Sequence, residues 1–141
     1  MLVNMVAQLS LADCVTLHGA LPHEKVIEHY MKANVFVMPC IQSDDGNRDG
    51  IPNVLLEAMA MQVPVISTWT SAIPELIQDK ANGFLVKPND PEALAQSIQM
   101  LIESPQQAFR LGRSGRESVL KEFNVEANVK RFATTLWPEW F

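Results

Sequence analysis

The chain has 141 residues, 48% of them hydrophobic, and a formal net charge of −5. That length suits one domain with a real core, which buries about two thirds of its unfolded surface. The acidic balance argues against a general nucleic-acid surface, no apolar run approaches the ~18 residues of a membrane span, and the first residues do not read as a signal peptide.

In chain order, Val15 to His18 reads as a strand closed by Gly19. His23 to Lys32 reads as a helix with Val26, Ile27, Tyr30 and Met31 on one side. "VFVMP", residues 35–39, reads as a buried strand, followed by a loop from Cys40 to Ile51 that holds Asp44, Asp45, Gly46 and Gly50. A helix is predicted over Pro52 to Met61, a strand over 64–67, a short helix around Pro74 to Gln78, and a strand over 83–86. Pro91 to Ile102 is an amphipathic helix with Asp90 as N-cap and Pro91 in its first position. Two further helices are predicted over 105–121 and 125–136. Strands of four or five residues alternating with helices predict an α/β fold, built of βαβ units around a parallel sheet covered on both faces. Ligands of such sheets sit at the carboxyl ends of the strands, so the long loop after residue 39 is the first place to look for a site.

The helix after that loop has unusual chemistry. Pro52 suits a first helical position, which leaves the amides of Asn53 and Val54 free at the positive end of the helix dipole, where phosphate or carboxylate binds well. Gly46 and Gly50 allow close backbone approach. Val54, Leu55, Leu56, Ala58, Met59, Ala60 and Met61 leave no polar stripe, and a helix apolar all round is a buried one. Glu57 is then an acid in a poor solvent, and leaving it unpaired would cost several kcal/mol. Two partners fit: an internal cation, Arg48 or Lys80, or the hydroxyls of a polyhydroxylated ligand at the helix mouth. Residue chemistry alone favours the ion pair, because structural pairs are common. Neither GxGxxG nor GxxxxGK[ST] is present.

Other candidates read as structural. Asp44, Asp45 and Asp49 form a solvated turn rather than a divalent-ion site, since no His or Glu completes a set. His18, His23 and His29 lack a nucleophile at recognisable spacing. Glu75 favours the dipole of a first helical turn, and Arg110, Arg113 and Arg116 form a solvated helix face. Cys14 and Cys40, with no CxxC, read as reduced thiols of a cytosolic domain.

Four segments carry a resemblance: "VTLHGALPHEKVIEHYMKANVFVMPC", "DGIPNVLLEAMAMQVPVIST", "SAIPELIQDKANGFLVKPNDPEALAQSI" and "RLGRSGRESVLKEFNVE". In this order they run through nearly the whole chain, which resembles the C-terminal, donor-binding half of the group 1 (family 4) retaining glycosyltransferases of the GT-B fold. The resemblance implies a three-layer Rossmann-like parallel sheet and one partial nucleotide-sugar-binding domain over residues 1–141. It implies transfer of a sugar from a nucleoside-diphosphate sugar to an acceptor glycan or lipid, plausible for a cell-envelope or exopolysaccharide glycan. The family's donor motif, Glu, seven residues, Glu, is similar to Asp49 followed by Glu57. By that likeness Asp49 meets the donor sugar and is the catalytic candidate, while Glu57 holds the ribose. Gly50, Ile51, Asn53 and Val54 bind the donor, with the amides of the last two on the diphosphate. Gly19, Ala20 and Leu21 lie by the nucleobase. Asp in place of Glu at position 49 shortens the reach to the sugar by one methylene.

No metal or cofactor is implied; the nucleotide sugar is a substrate. The expected partners are that nucleotide sugar and an N-terminal acceptor domain, with no nucleic acid. The expected location is cytoplasmic, peripheral to the inner face of the membrane in a full-length parent. The family's sheet order is 3-2-1-4-5-6, and the chain reads as lacking the domain's first two strands. A gap is therefore expected between Val15–His18 and Val35–Met38. The chain would close that gap, leave the first strand loosely placed, or borrow pairing from a second copy, drawn in by an open edge or the aromatic patch of Trp137, Trp140 and Phe141. The chain alone is expected to be inactive. The alternatives are a sugar-nucleotide epimerase-like protein and a non-catalytic nucleotide-sugar-binding or interaction domain.

Overall fold

Short runs of β-branched and aromatic residues can only bury their backbone groups by pairing, and amphipathic segments between them cover the sheet so formed. The computed structural model describes residues 2–41 and 50–138. Its elements in chain order are α1 (Leu2–Gln8), α2 (His23–Lys32), β1 (Phe36–Met38), α3 (Asn53–Ala60), β2 (Val65–Thr68), α4 (Ile73–Leu76), β3 (Phe84–Val86), α5 (Pro91–Glu103), α6 (Pro105–Glu122) and α7 (Val125–Leu136). The strands form a parallel sheet in the order β1-β2-β3, with Phe36 opposite Val65 and Ile66 opposite Phe84.

Alternation along the strands divides the core into two layers. Val65 and Leu85 join Leu55, Ala58, Met59, Ile73, Leu76 and Ile77 beneath α2, α3 and α4. Ile66, Phe84 and Val86 join Leu101 and Leu111 beneath α5 and α6. β2 lies between the two layers and all four of its residues are buried. This is the α/β three-layer arrangement expected from the sequence. Asp90 caps α5 as expected, accepting from the amide of Ala93 at 2.9 Å.

The strand expected at Val15 to His18 does not form. The segment is irregular, and Val15 and Leu17 are 37% and 48% exposed. Strand propensity alone does not hold a strand; it needs a neighbour to complete the ladder, and among the described residues β1 pairs only with β2. α1 buries none of its residues, and neither does α7. Met31, expected on the covered face of α2, is exposed, while Ala33 packs against the core in its place. Trp137 is partly exposed; Trp140 and Phe141 lie outside the described residues. Among the described residues no helix is long and apolar enough to cross a membrane.

α3 is held by α6. Its C-terminal end closes with Gln62 at φ +64, where the amide of Gln62 donates to the Met59 carbonyl and that of Val63 to the Ala58 carbonyl. This is the Schellman pattern, with Gln in the place that usually holds Gly. Arg110, Arg113 and Arg116 are exposed, as expected for a solvated face, and from that face Arg116 of α6 also donates to the Ala60 carbonyl. A Cβ at Gly112 would overlap the carbonyl oxygen of Gln62, and one at Gly115 would lie 3.1 Å from the Asn82 carbonyl oxygen and 3.3 Å from Met59 Cε. The two glycines therefore set how closely α6 approaches α3.

Replacing Gly by Ala inside a helix ordinarily stabilises by up to ~1 kcal/mol. Gly112→Ala should do the reverse, lowering unfolding free energy by about 3 kcal/mol, because the new methyl meets backbone rather than a movable side chain. Urea titration of the wild-type and variant proteins measures the sign.

Candidate functional site

Parallel strands deliver their carboxyl ends to one edge of the sheet, and the chain leaving β1 re-enters structure at α3. The loop between them runs outside the described residues at 42–49, and Asp44, Asp45, Gly46, Arg48 and Asp49 fall there. On the near side the loop is anchored by hydroxyls. Thr68 Oγ1 at the end of β2 donates to the Cys40 carbonyl at 2.6 Å, Thr70 Oγ1 donates to it at 3.3 Å, and Ser67 Oγ donates to the Met38 carbonyl at 2.7 Å. A cavity of about 160 Å³ lies along the same edge, with Ile41, Thr68, Val86, Lys87 and Leu94 among its walls.

Pro52 has φ −61° and ψ 126° and sits at the N-cap, one residue ahead of the first helical position expected for it. Among the described residues no side chain caps this end. The amides of Asn53 and Val54 precede the point where the helical ladder begins, so they face out with the positive end of the dipole. Gly50 is exposed with open space where a Cβ would be, while Ile51 packs against the core. The structure thus brings Gly50, Ile51, Asn53, Val54 and Glu57 together along one helix start.

α3 is not buried on all sides. Leu55, Ala58 and Met59 are buried, Val54, Leu56 and Glu57 are half-buried, and Asn53 is exposed. Glu57 makes no ion pair among the described residues, so the pairing with Lys80 that its chemistry favoured is not formed; Lys80 is exposed. Arg48, the other cation expected, lies outside the described residues; among those described Glu57 meets a neutral donor, the Tyr30 hydroxyl, which lies 3.4 Å from Glu57 Oε2 and 3.4 Å from the Val54 carbonyl oxygen. Tyr30 is only 4% exposed, and its ring meets Phe36 edge-on at 5.4 Å. Burial, then the negative charge of Glu57, then the hydrogen bond to it, push the phenol up to about 12, so it remains a donor at neutral pH.

Sequence reading placed Tyr30 only on the covered face of α2. The signal for more was present, since a buried Tyr needs an acceptor for its hydroxyl, but nothing in the spacing of residues 30 and 57 revealed that the acceptor is a carboxylate.

α2 also touches the other predicted binding segment. The rings of His18 and His29 lie 4.5 Å apart, which brings the exposed turn of Gly19, Ala20 and Leu21 beside α2. Gly19 holds φ +66, a left-handed conformation that Gly adopts without strain. This turn makes no hydrogen bond to α3 among the described residues. No three His, Cys, Asp or Glu side chains among the described residues gather as metal ligands.

Residues 2–104 match the family model described as glycosyl transferases group 1. The chain is 34% identical over 135 residues to the amylovoran biosynthesis glycosyltransferase AmsK of Erwinia amylovora, covering 96% of this chain and 33% of that protein. It therefore spans about a third of the length of the curated relatives it matches. Its structure is similar to that of sucrose-phosphate synthase from Thermosynechococcus elongatus, with TM-score 0.80 and 31% identity over 98% of this chain and 34% of that one. HepE of Anabaena, solved in complex with UDP-glucose, shares the fold with TM-score 0.82 and 21% identity, over 96% of this chain and 35% of that one.

The Tyr30–Glu57 contact predicts an alkaline signature. A tyrosine in the unfolded chain titrates near 10, and the folded value is about 12. The stability tied to the neutral phenol is fully present below pH 10 and is lost as pH rises through 12. Tyr30→Phe should therefore show a shallower fall in unfolding free energy across that window, by about 1 kcal/mol once solvent screening of the hydroxyl is counted. Denaturant titrations of both proteins at the two ends of the window measure it.

Proposed function

The chain belongs to the group 1 glycosyltransferases, and on that premise we propose that it is the donor-binding part of a retaining enzyme that moves a sugar from a nucleoside diphosphate to an acceptor glycan or lipid. Its GT-B-type α/β fold is shared with such enzymes. The observation that carries the proposal is the start of α3: a helix end on the carboxyl side of a parallel sheet, with no side-chain cap among the described residues and a carboxylate about one turn inside it. The amides of Asn53 and Val54, backed by the dipole, suit the two phosphates. Glu57 is half-buried and pairs with no cation among the described residues, and its carboxylate suits hydrogen bonds from the ribose diol. HepE holding UDP-glucose in the same fold supports a sugar nucleotide as the ligand.

In this reading Asp49, the sugar-facing acid, acts on the donor hydroxyls, and Gly50 and Ile51 carry the backbone past the ligand. The turn at Gly19, Ala20 and Leu21 receives the base. Bond cleavage at the anomeric carbon leaves negative charge on the diphosphate, and the helix start lowers the barrier by meeting that charge with dipoles already in place. Holding donor and acceptor in one geometry supplies much of the remainder. The donor is a substrate and no cofactor enters. An acceptor-binding domain is the required partner, and the work is done at the cytoplasmic side of the membrane.

The test is calorimetric titration of the full protein with UDP-, GDP- and ADP-sugars, followed by product analysis with the donor that binds. One of them should bind, and Glu57→Ala should weaken it about tenfold or more, the worth of hydrogen bonds to a charged group. Binding by none of them, or an unchanged affinity in Glu57→Ala, overturns the donor site. Free epimerised sugar without transfer overturns the transferase.

A further inference from the structure

We propose that Tyr30 is a positioning residue for nucleotide recognition: its buried hydroxyl holds the Glu57 carboxylate in the orientation that distinguishes a ribose from a deoxyribose. The inference rests on the reading of Glu57 as the ribose-binding acid. It starts from the geometry around one proton. The hydroxyl has a single hydrogen and two acceptors at 3.4 Å, Glu57 Oε2 and the Val54 carbonyl oxygen. The Val54 carbonyl stands in the first turn of α3 and already has the helical ladder to satisfy it. Glu57 carries a full charge and no cation among the described residues. Between two acceptors at equal distance the charged one pulls the hydrogen more strongly, so the Tyr30 hydroxyl points its hydrogen toward Oε2.

The donor itself cannot move. Tyr30 is buried, its ring is set edge-on to Phe36 on β1, and its helix packs against the same core that receives α3. A Glu side chain ordinarily loses rotamer freedom when it takes up a ligand. Here one oxygen is tethered beforehand, so the carboxylate presents its remaining lone pairs in a single plane. A vicinal diol offers two donors in a fixed relation, and a pre-set carboxylate meets both with little further ordering. A nucleotide that lacks the 2′-hydroxyl forfeits one of those bonds and gains least from the tether. The phenol stays protonated through the neutral range, so the tether persists at working pH.

The experiment compares the affinities of UDP and 2′-deoxy-UDP, with GDP and 2′-deoxy-GDP as a second pair. It uses the full protein as wild type, Tyr30→Phe, Glu57→Gln and the double variant. Phe keeps the ring against Phe36, and a melting scan checks that each variant is folded. Wild type should prefer the ribonucleotide about tenfold. Tyr30→Phe should weaken ribonucleotide binding several-fold while leaving the deoxynucleotide within about twofold, so the preference contracts. A ring that mattered only for packing would weaken both nucleotides alike. In the double variant the two losses should not add, because they act on one interaction.

If Glu57→Gln contracts the preference and Tyr30→Phe does not, or if the losses add, the positioning role is overturned and the ribose site stands. If the wild type shows no preference, or Glu57→Gln leaves it intact, the ribose reading of Glu57 falls and this inference falls with it.

Discussion

Much of the arrangement depends on one close approach, the backbone of Gly112 in α6 against the carbonyl of Gln62 at the end of α3. It brings two helices to a distance that no side chain would allow. At that distance Arg116 reaches the Ala60 carbonyl and Gly115 packs against Met59. The last carbonyls of α3 are thus answered by two backbone amides, one of them from the left-handed Gln62, and a guanidinium. Its first amides have no side-chain cap among the described residues. A helix secured at its C-terminal end presents its dipole as a fixed object.

The same economy governs Glu57. A carboxylate on an otherwise apolar helix must find partners or lose its charge. Among the described residues no cation pairs with it, and a phenol satisfies it in part, because the hydroxyl gives a single hydrogen where the ionised group accepts about four. α2 is the element that makes this so. It puts Tyr30 beneath α3 and His29 beside the turn that follows His18, so one helix aligns two segments far apart in sequence.

Beyond this centre the fold has loosely committed parts. α1 leaves Leu2, Val3 and Met5 exposed, and α7 leaves Val125, Val129 and Phe132 exposed. Both are amphipathic in pattern, and both lie outside the two core layers. The sheet needs neither to close: β2 is buried on both faces by α3 and α4 on one side and by α5 and α6 on the other.

The sequence by itself determined the local elements wherever the signal was local. Asp90 before Pro91 marks a capped helix start, the apolar runs at 35–39, 64–67 and 83–86 mark buried parallel strands, and the helix boundaries follow to within a residue or two. The resemblance also singled out the start of α3 as the place for a ligand. What it could not supply was any property that depends on a neighbour. Val15 to His18 has the residues of a strand, yet hydrogen-bonded ladders are made between segments, and none of the described ones lies alongside. Arg116 is the solvated charge its pattern suggested, but its bond to the Ala60 carbonyl depends on how closely α6 approaches α3. The partner of Glu57 was decided only in three dimensions, because a phenol on α2 and a carboxylate on α3 meet through packing on a shared core, and packing leaves no fixed spacing along the chain.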